Sequence, residues 1–138
     1  MTRVREVVLD ASVLVKWFKQ EHEDYLEAAR ALEAQYVRGE LVISAPPLLF
    51  VEILNIAARR WGWGGPDLEM LAAHMVALAF QVHQPALVRI ACWASLGLTA
   101  HDACYVALAE QRRAQLITAD DRILAVAVNV ARPLSSIR

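Results

Sequence analysis

Short apolar runs alternate with longer amphipathic segments along most of the chain. Residues 4–9, 41–44 (LVIS) and 115–118 (QLIT) have the length and composition of buried strands, and 80–84 (FQVHQ) is predicted as a strand or an extended link. Helical spacing predicts seven helices, over residues 11–18, 23–39, 47–61, 67–79, 86–97, 99–114 and 120–129. The last apolar segment, 133–137 (PLSSI), is predicted as a closing strand.

This alternation of strands and helices predicts an α/β fold. Because buried parallel strands need helices on both faces of their sheet, the expected architecture is a three-layer α/β/α sandwich with a central, mostly parallel sheet. The chain contains no repeat, low-complexity tract or linker, so residues 1–138 are expected to form a single domain. Ligands of such sheets bind beyond the carboxyl ends of the strands.

The helix predicted over 23–39 has the clearest amphipathic pattern. Its apolar line consists of Tyr25, Ala29, Leu32 and Tyr36, at spacings of four, three and four residues. This line is expected to face the core, with charged residues on the other side.

The composition indicates that part of an apolar surface is covered. Hydrophobic residues make up 57% of the 138, and the mean hydropathy is +0.34, so a partner or a second copy of the chain is expected to cover some of it. The formal net charge of −1 excludes a strongly basic nucleic-acid binder. Contacts with phosphates would therefore need local basic patches or a metal ion.

The cysteines and the apolar runs predict a soluble cytoplasmic protein. Cys92 and Cys104 both lie in apolar helical segments and are expected to be buried, reduced thiols. Asp10 interrupts the early apolar stretch, which argues against a signal peptide, and no apolar run is long enough to cross a bilayer.

Two carboxylates stand where an apolar environment is expected. Asp10 follows the first strand and precedes a helix, so it suits either a helix N-cap or a ligand-binding role at the strand end. Glu52 shares a helix face with Leu48, Leu49 and Ile56. Since an unpaired buried carboxylate is costly, a functional role is favoured for Glu52 over an ion pair with a distant arginine.

Two further acids have stronger structural alternatives. Thr99 and Asp102 have the spacing of a capping box, and Thr118 with Asp121 repeats it. This leaves Asp120 as the candidate ligand after the strand 115–118. The hydroxyls of Ser12 and Thr118 lie close enough in sequence to orient the acids or to cap helices.

Asp10, Glu52, Asp102 and Asp120 can therefore converge on one site. Two carboxylates about 4 Å apart repel by roughly 4 kcal/mol at an effective dielectric constant of about 20, so either their pKa values rise or a divalent cation binds between them. Oxygen ligands select Mg²⁺ or Mn²⁺ over zinc, and such ions support attack of water on a phosphodiester.

Other motifs carry less chemistry. His101 stands beside Asp102 and could touch a substrate, and Trp61 with Trp63 suits a packed loop or a partner contact. A receiver-like signalling domain is a rival interpretation, but receivers need paired acids after the first strand and a lysine after the last. Six basic residues are candidates for contacts with a phosphodiester backbone: Lys16, Lys19, Arg59, Arg60, Arg112 and Arg113.

Four segments, in order and over nearly the whole chain, resemble the signature blocks of PIN-domain proteins. They are residues 7–17 (VVLDASVLVKW), 46–59 (PPLLFVEILNIAAR), 98–111 (LTAHDACYVALAEQ) and 116–124 (LITADDRIL). The size and the blocks are similar, more narrowly, to VapC-type toxins of bacterial and archaeal toxin–antitoxin pairs.

The resemblance implies an endoribonuclease. The family's acids map onto Asp10, Glu52, Asp102 and Asp120, which would hold Mg²⁺ or Mn²⁺ for cleavage of single-stranded or structured RNA, with Asp121 as an alternative fourth acid. It also implies a homodimer and a cognate antitoxin that covers the active groove. A catalytically silent PIN-like binding module remains an alternative.

Overall fold

A computed structural model describes residues 4–19 and 24–137. Within these ranges the chain forms a five-stranded sheet, seven α-helices and one 3₁₀ turn. The strands are β1 (Arg5–Leu9), β2 (Leu41–Ala45), β3 (Gln81–Val82), β4 (Gln115–Thr118) and β5 (Ala131–Pro133). The helices are α1 (Ala11–Phe18), α2 (Leu26–Val37), α3 (Leu48–Arg59), α4 (Gly65–Ala77), α5 (Leu87–Ala94), α6 (Ala100–Arg112) and α7 (Asp121–Val126).

The sheet is parallel throughout, with strand order β3-β2-β1-β4-β5. Three successive residues of the central strand, Val7, Val8 and Leu9, are fully buried, so both faces of the sheet are covered. Because crossovers between parallel strands are right-handed, the steps from β1 to β3 place α1–α4 on one face. The return from β3 to β4 places α5 and α6 on the other, where α6 packs on β1 and β4. The predicted three-layer α/β/α sandwich is confirmed.

The sequence predicted the position of each helix and missed some ends by several residues. The fourth helix starts at Gly65 instead of Asp67, because Pro66 fits its first turn. The closing strand is a correction: β5 pairs with β4 through Ala131–Pro133, and most of the PLSSI segment forms a 3₁₀ turn, Leu134–Ser136. Pro133 and Leu134 still contribute apolar surface, which is what the sequence pattern detected.

Two burial predictions need correction. Cys104 is buried as predicted, but Cys92 is exposed, because α5 lies on the surface and has no buried residue. In α2, Ala29 and Leu32 are buried, whereas Tyr25 is 56% exposed. Tyr25 precedes the first helical residue and has left-handed backbone angles, φ 59° and ψ 35°, so it does not continue the apolar line.

The strand order creates one topological switch point, between β1 and β4, among the described residues. The chain leaves β1 toward β2 on one side and leaves β4 toward β5 on the other, so a crevice opens beyond the carboxyl ends of β1 and β4. In the part of the chain that the structure describes, no helix is long and apolar enough to cross a membrane.

Candidate active site

A pocket at this switch point contains all four acids that the sequence singled out. Its volume is about 450 Å³, and its lining includes Asp10 after β1, Glu52 on α3, Asp102 on α6 and Asp120 after β4. Segments far apart in the chain therefore bring these four carboxylates to the edge of the sheet where β1 and β4 end. Asp121, the alternative fourth acid, is exposed and does not line this pocket.

Asp10 occupies the N-cap position of α1 but does not cap the helix with its side chain. Its carboxylate instead accepts hydrogen bonds from the hydroxyls of Ser12 and Thr118. Asp10 is only 4% exposed, and burial raises its pKa from 3.8 to about 6, against the two hydroxyl hydrogen bonds. The charges of Asp102 and Asp120 raise this pKa further. The cap explanation for Asp10 is thus insufficient.

Asp120, and not Thr118, caps α7. The Asp120 carboxylate accepts from the backbone N–H groups of Arg122 and Ile123 at 2.9 and 3.0 Å. Thr118, fully buried at the end of β4, donates to Asp10 and accepts from the backbone N–H of Asp120. The predicted pairing of Thr118 with Asp121 is therefore wrong, because a tertiary contact across the sheet uses the threonine hydroxyl.

Glu52 lies at the edge of the buried face of α3. Leu49, Ile53 and Ala57 form the buried face of this helix, and Glu52 is partly exposed beside it. The hydroxyl of Tyr105 on α6 donates a hydrogen bond to Glu52 Oε1. Burial and this carboxylate raise the pKa of Tyr105 far above its usual range, so the hydroxyl remains a donor.

Tyr105 is the site residue that sequence reasoning missed. It stands three residues after Asp102, on the same face of α6, which is the signal that could have identified it. The capping interaction predicted at the start of α6 is present: Thr99 Oγ1 accepts from the Asp102 backbone N–H at 3.0 Å. Burial and the neighbouring Asp120 charge raise the pKa of the Asp102 carboxyl.

The donor set suits a hard divalent cation, but the ligands are not pre-arranged around one point. All four side chains present carboxylate oxygens, the donors that Mg²⁺ and Mn²⁺ prefer, and burial first, then neighbouring carboxylate charge, raises the pKa values of Asp10 and Asp102. Among the described residues, however, no three His, Cys, Asp or Glu side chains are grouped closely enough to hold a metal ion. Binding between three of these carboxylates would therefore require side-chain movement.

Of the six basic residues proposed for backbone contacts, the structure places only some at the pocket. Lys16 and Arg60 line the acidic pocket. Arg112 instead forms an ion pair with Glu6 at 2.7 Å, and Lys19 lies 5.5 Å from the ring of Trp61. Arg59 and Arg113 are exposed and do not line the pocket, and the same is true of His101. The rings of Trp61 and Trp63 lie at a centroid distance of 5.1 Å and are tilted by 52° to each other, and both pack on the core, as expected for a packed loop.

This arrangement coincides with a family match. Residues 7–129 match the model of the PIN domain. The chain belongs to the PIN-domain family. PIN domains are generally nucleases. A comparison with curated protein sequences found no significant match.

Solved structures support the same fold. The chain is 26% identical to the protein PAE2754 from Pyrobaculum aerophilum, with a TM-score of 0.66, over 96% of this chain and 93% of that one. VapC20 from Mycobacterium tuberculosis, described as a sarcin-ricin loop cleaving toxin, is 12% identical, with a TM-score of 0.60 over 82% and 87% of the two chains. FitAcB from Neisseria gonorrhoeae is 15% identical, with a TM-score of 0.62 over 95% and 99%.

The strand order also bears on the receiver-like alternative. Receiver domains have the order 2-1-3-4-5, with the switch point between the first and third strands. The PIN domain described here has the order 3-2-1-4-5, so its switch point lies between β1 and β4. The receiver interpretation is therefore rejected.

Proposed function

We propose that this PIN domain is a Mg²⁺- or Mn²⁺-dependent endoribonuclease that acts as the toxin of a toxin–antitoxin pair. The observation that carries the proposal is the convergence of Asp10, Glu52, Asp102 and Asp120 on one pocket at the switch point. This is where parallel α/β proteins bind ligands, and carboxylate-held cations are a common means of phosphodiester hydrolysis.

In this proposal, Asp10, Glu52 and Asp102 hold the cation, and Asp120 is a further ligand or positions the water. When bound, the ion would lower the pKa of a water molecule and offset the charge that develops on the phosphate. Ser12 and Thr118 fix the orientation of the Asp10 carboxylate by donating to its two oxygens.

The charge of the pocket supports metal dependence. The carboxylates would repel an RNA phosphate, so a cation is needed before the substrate can approach. Lys16 and Arg60 line the same pocket and supply positive charge for the backbone of the strand. RNA as the substrate is proposed from the resemblance to VapC-type toxins and from the likeness to VapC20, a toxin that cleaves the sarcin-ricin loop.

The toxin assignment and the partners are proposed from related assemblies. Two solved structures with similar folds are VapBC2 from Rickettsia felis, bound to a DNA fragment from their promoter, and FitAB, bound to a DNA fragment. These are complexes of a toxin with its antitoxin. Exposed apolar side chains are consistent with a covering antitoxin and a homodimer, among them Val51, Met70, Val76, Leu87 and Val88.

The nuclease proposal is tested by incubating the protein with a labelled pool of single-stranded RNAs and Mn²⁺, Mg²⁺ or EDTA. We expect cleavage with either metal and none with EDTA, and Asp10→Asn should abolish it. Asp121→Asn is the matched control, because it removes the neighbouring exposed carboxylate of α7 outside the pocket.

Equal cleavage by the wild type and Asp10→Asn would refute the assignment, and so would a wild type inactive with every metal tested. The second result would favour the alternative of a catalytically silent binding module. Growth arrest on induction of the wild type, but not of Asp10→Asn, tests the toxin role separately.

A further inference from the structure

The pocket is larger than the four carboxylates require. Its volume of about 450 Å³ falls in the range of roughly 300–1,000 Å³ that is typical of sites for organic ligands. Besides the acids, its lining includes Lys16, Tyr25, Ile56 and Arg60, together with Asp24. This second group is called the basic end below.

The basic end is continuous with the acids along two helices. On α1, Ser12 and Lys16 are four residues apart, and on α3 Glu52, Ile56 and Arg60 follow at successive spacings of four. Residues at this spacing share a face, and each step advances about 6 Å along the axis. The backbone of Arg60, the C-cap of α3, therefore lies about 12 Å along the helix axis from that of Glu52, so its guanidinium can reach a phosphate other than the one at the acids.

Tyr25 gives the basic end an aromatic surface. Its side chain is 56% exposed and lines the pocket, and its backbone is left-handed, at φ 59° and ψ 35°. This conformation is uncommon for an aromatic residue, and such outliers cluster at ligand-binding positions. An exposed ring and an arginine that line one pocket are a combination that proteins use to bind an unpaired base and its phosphate.

We propose that the basic end is a subsite for a nucleotide adjacent to the scissile phosphate. The base stacks on the ring of Tyr25, with Ile56 as an apolar wall, and the guanidinium of Arg60 binds the phosphate. Lys16, 6% exposed, adds positive charge to the same pocket. The inference rests on the proposed nuclease function for its substrate class and adds a residue, Tyr25, that would hold an unpaired base of a single-stranded RNA.

The experiment measures binding and cleavage separately. Binding of fluorescein-labelled ten-nucleotide single-stranded RNAs is followed by anisotropy over a range of NaCl concentrations, with Asp10→Asn present in every protein to prevent cleavage. Tyr25→Ala is compared with Tyr25→Phe, which keeps the ring. Arg60→Gln is compared with Arg59→Gln, its neighbour on the same helix, which does not line the pocket.

We expect Tyr25→Ala to weaken binding at least about fivefold, the loss of one base–aromatic stack, and Tyr25→Phe to restore it. Arg60→Gln should reduce the slope of log Kd against log salt by about 0.7, the value for one phosphate contact on a single strand. Arg59→Gln should leave the slope unchanged. Melting temperatures identify any variant that fails to fold.

The outcomes separate the subsite from the nuclease. If Tyr25→Ala binds as tightly as Tyr25→Phe, or if no RNA binds, the subsite is refuted, whether or not the wild type cleaves RNA. If binding depends on Tyr25 and Arg60 but the wild type cleaves no RNA with any metal, the subsite is supported and the nuclease proposal fails.

Discussion

Asp10→Asn is expected to stabilise the protein at neutral pH in the absence of divalent metal. Asp10 is buried, and its pKa is raised from 3.8 to about 6, first by burial and then by the charges of Asp102 and Asp120. The folded state therefore binds the Asp10 proton more tightly than the unfolded state does. As the pH rises from about 4 to about 6, the unfolding free energy of the wild type falls. Above pH 6 it stays lower by the full free-energy cost of the ionised, buried Asp10 carboxylate.

The size of the effect follows from the same values. The difference between 3.8 and about 6, at 1.36 kcal/mol per tenfold change in the equilibrium constant, corresponds to about 3 kcal/mol. Asparagine carries no charge at any of these pH values. Its amide cannot accept from Ser12 and Thr118 at once, and the lost hydrogen bond costs about 1 kcal/mol. The net gain at pH 7 is about 2 kcal/mol, and near pH 4 the variant is less stable by about 1 kcal/mol.

Urea unfolding in EDTA between pH 4 and pH 8 measures this difference directly. Asp121→Asn is the control, because it removes an exposed carboxylate of α7 that does not line the pocket. If the free-energy difference between Asp10→Asn and the wild type stays constant across this range, the account of Asp10 as a strained buried acid is refuted. Mn²⁺ at pH 7 should narrow the difference, since it stabilises only the protein that retains the carboxylate.

Two further predictions concern hydrogen bonds to glutamates. Tyr105→Phe removes the donor to Glu52 and is expected to lower kcat for RNA cleavage about tenfold, with KM little changed; an unchanged kcat would show that Glu52 needs no such support. Glu6 forms an ion pair with Arg112 and accepts a hydrogen bond from the buried Ser44 hydroxyl. Arg112 lowers the pKa of Glu6 from 4.5, so the stabilisation that Glu6 provides is present at neutral pH and is lost as the pH falls below about 4.5. Glu6→Gln should cost about 1 kcal/mol in urea unfolding at pH 7 and much less at pH 3; equal losses would contradict the ion-pair explanation.

Most of the fold could be predicted because its signals are local. Consecutive buried residues such as Val7, Val8 and Leu9 require helices on both faces of the sheet, and this requirement alone gives a layered α/β architecture. The closing strand was misplaced because strand pairing is a long-range property. The apolar character of Leu134 is the same in a strand and in the 3₁₀ turn that it occupies.

The acids of the candidate site could be predicted from the sequence more readily than the residues that form hydrogen bonds with them. Position after a strand identified Asp10 and Asp120, and a shared helix face identified Glu52. Capping rules could not decide the role of Thr118, because its hydroxyl partner is 108 residues away in sequence. Helix spacing places Tyr105 on the face of Asp102, but the partner of its hydroxyl, Glu52, is 53 residues away in sequence and only the folded structure shows that contact.

The two hydroxyls around Asp10 also give the site a built-in reporter. Ser12 Oγ accepts from the backbone N–H of Ala119, and Thr118 Oγ1 accepts from that of Asp120, each at 3.0 Å. The same hydroxyls donate to Asp10, so the turns after β1 and β4 are joined through its carboxylate. Hydrogen–deuterium exchange at these two amides would therefore follow the opening of the candidate site in the absence of any substrate.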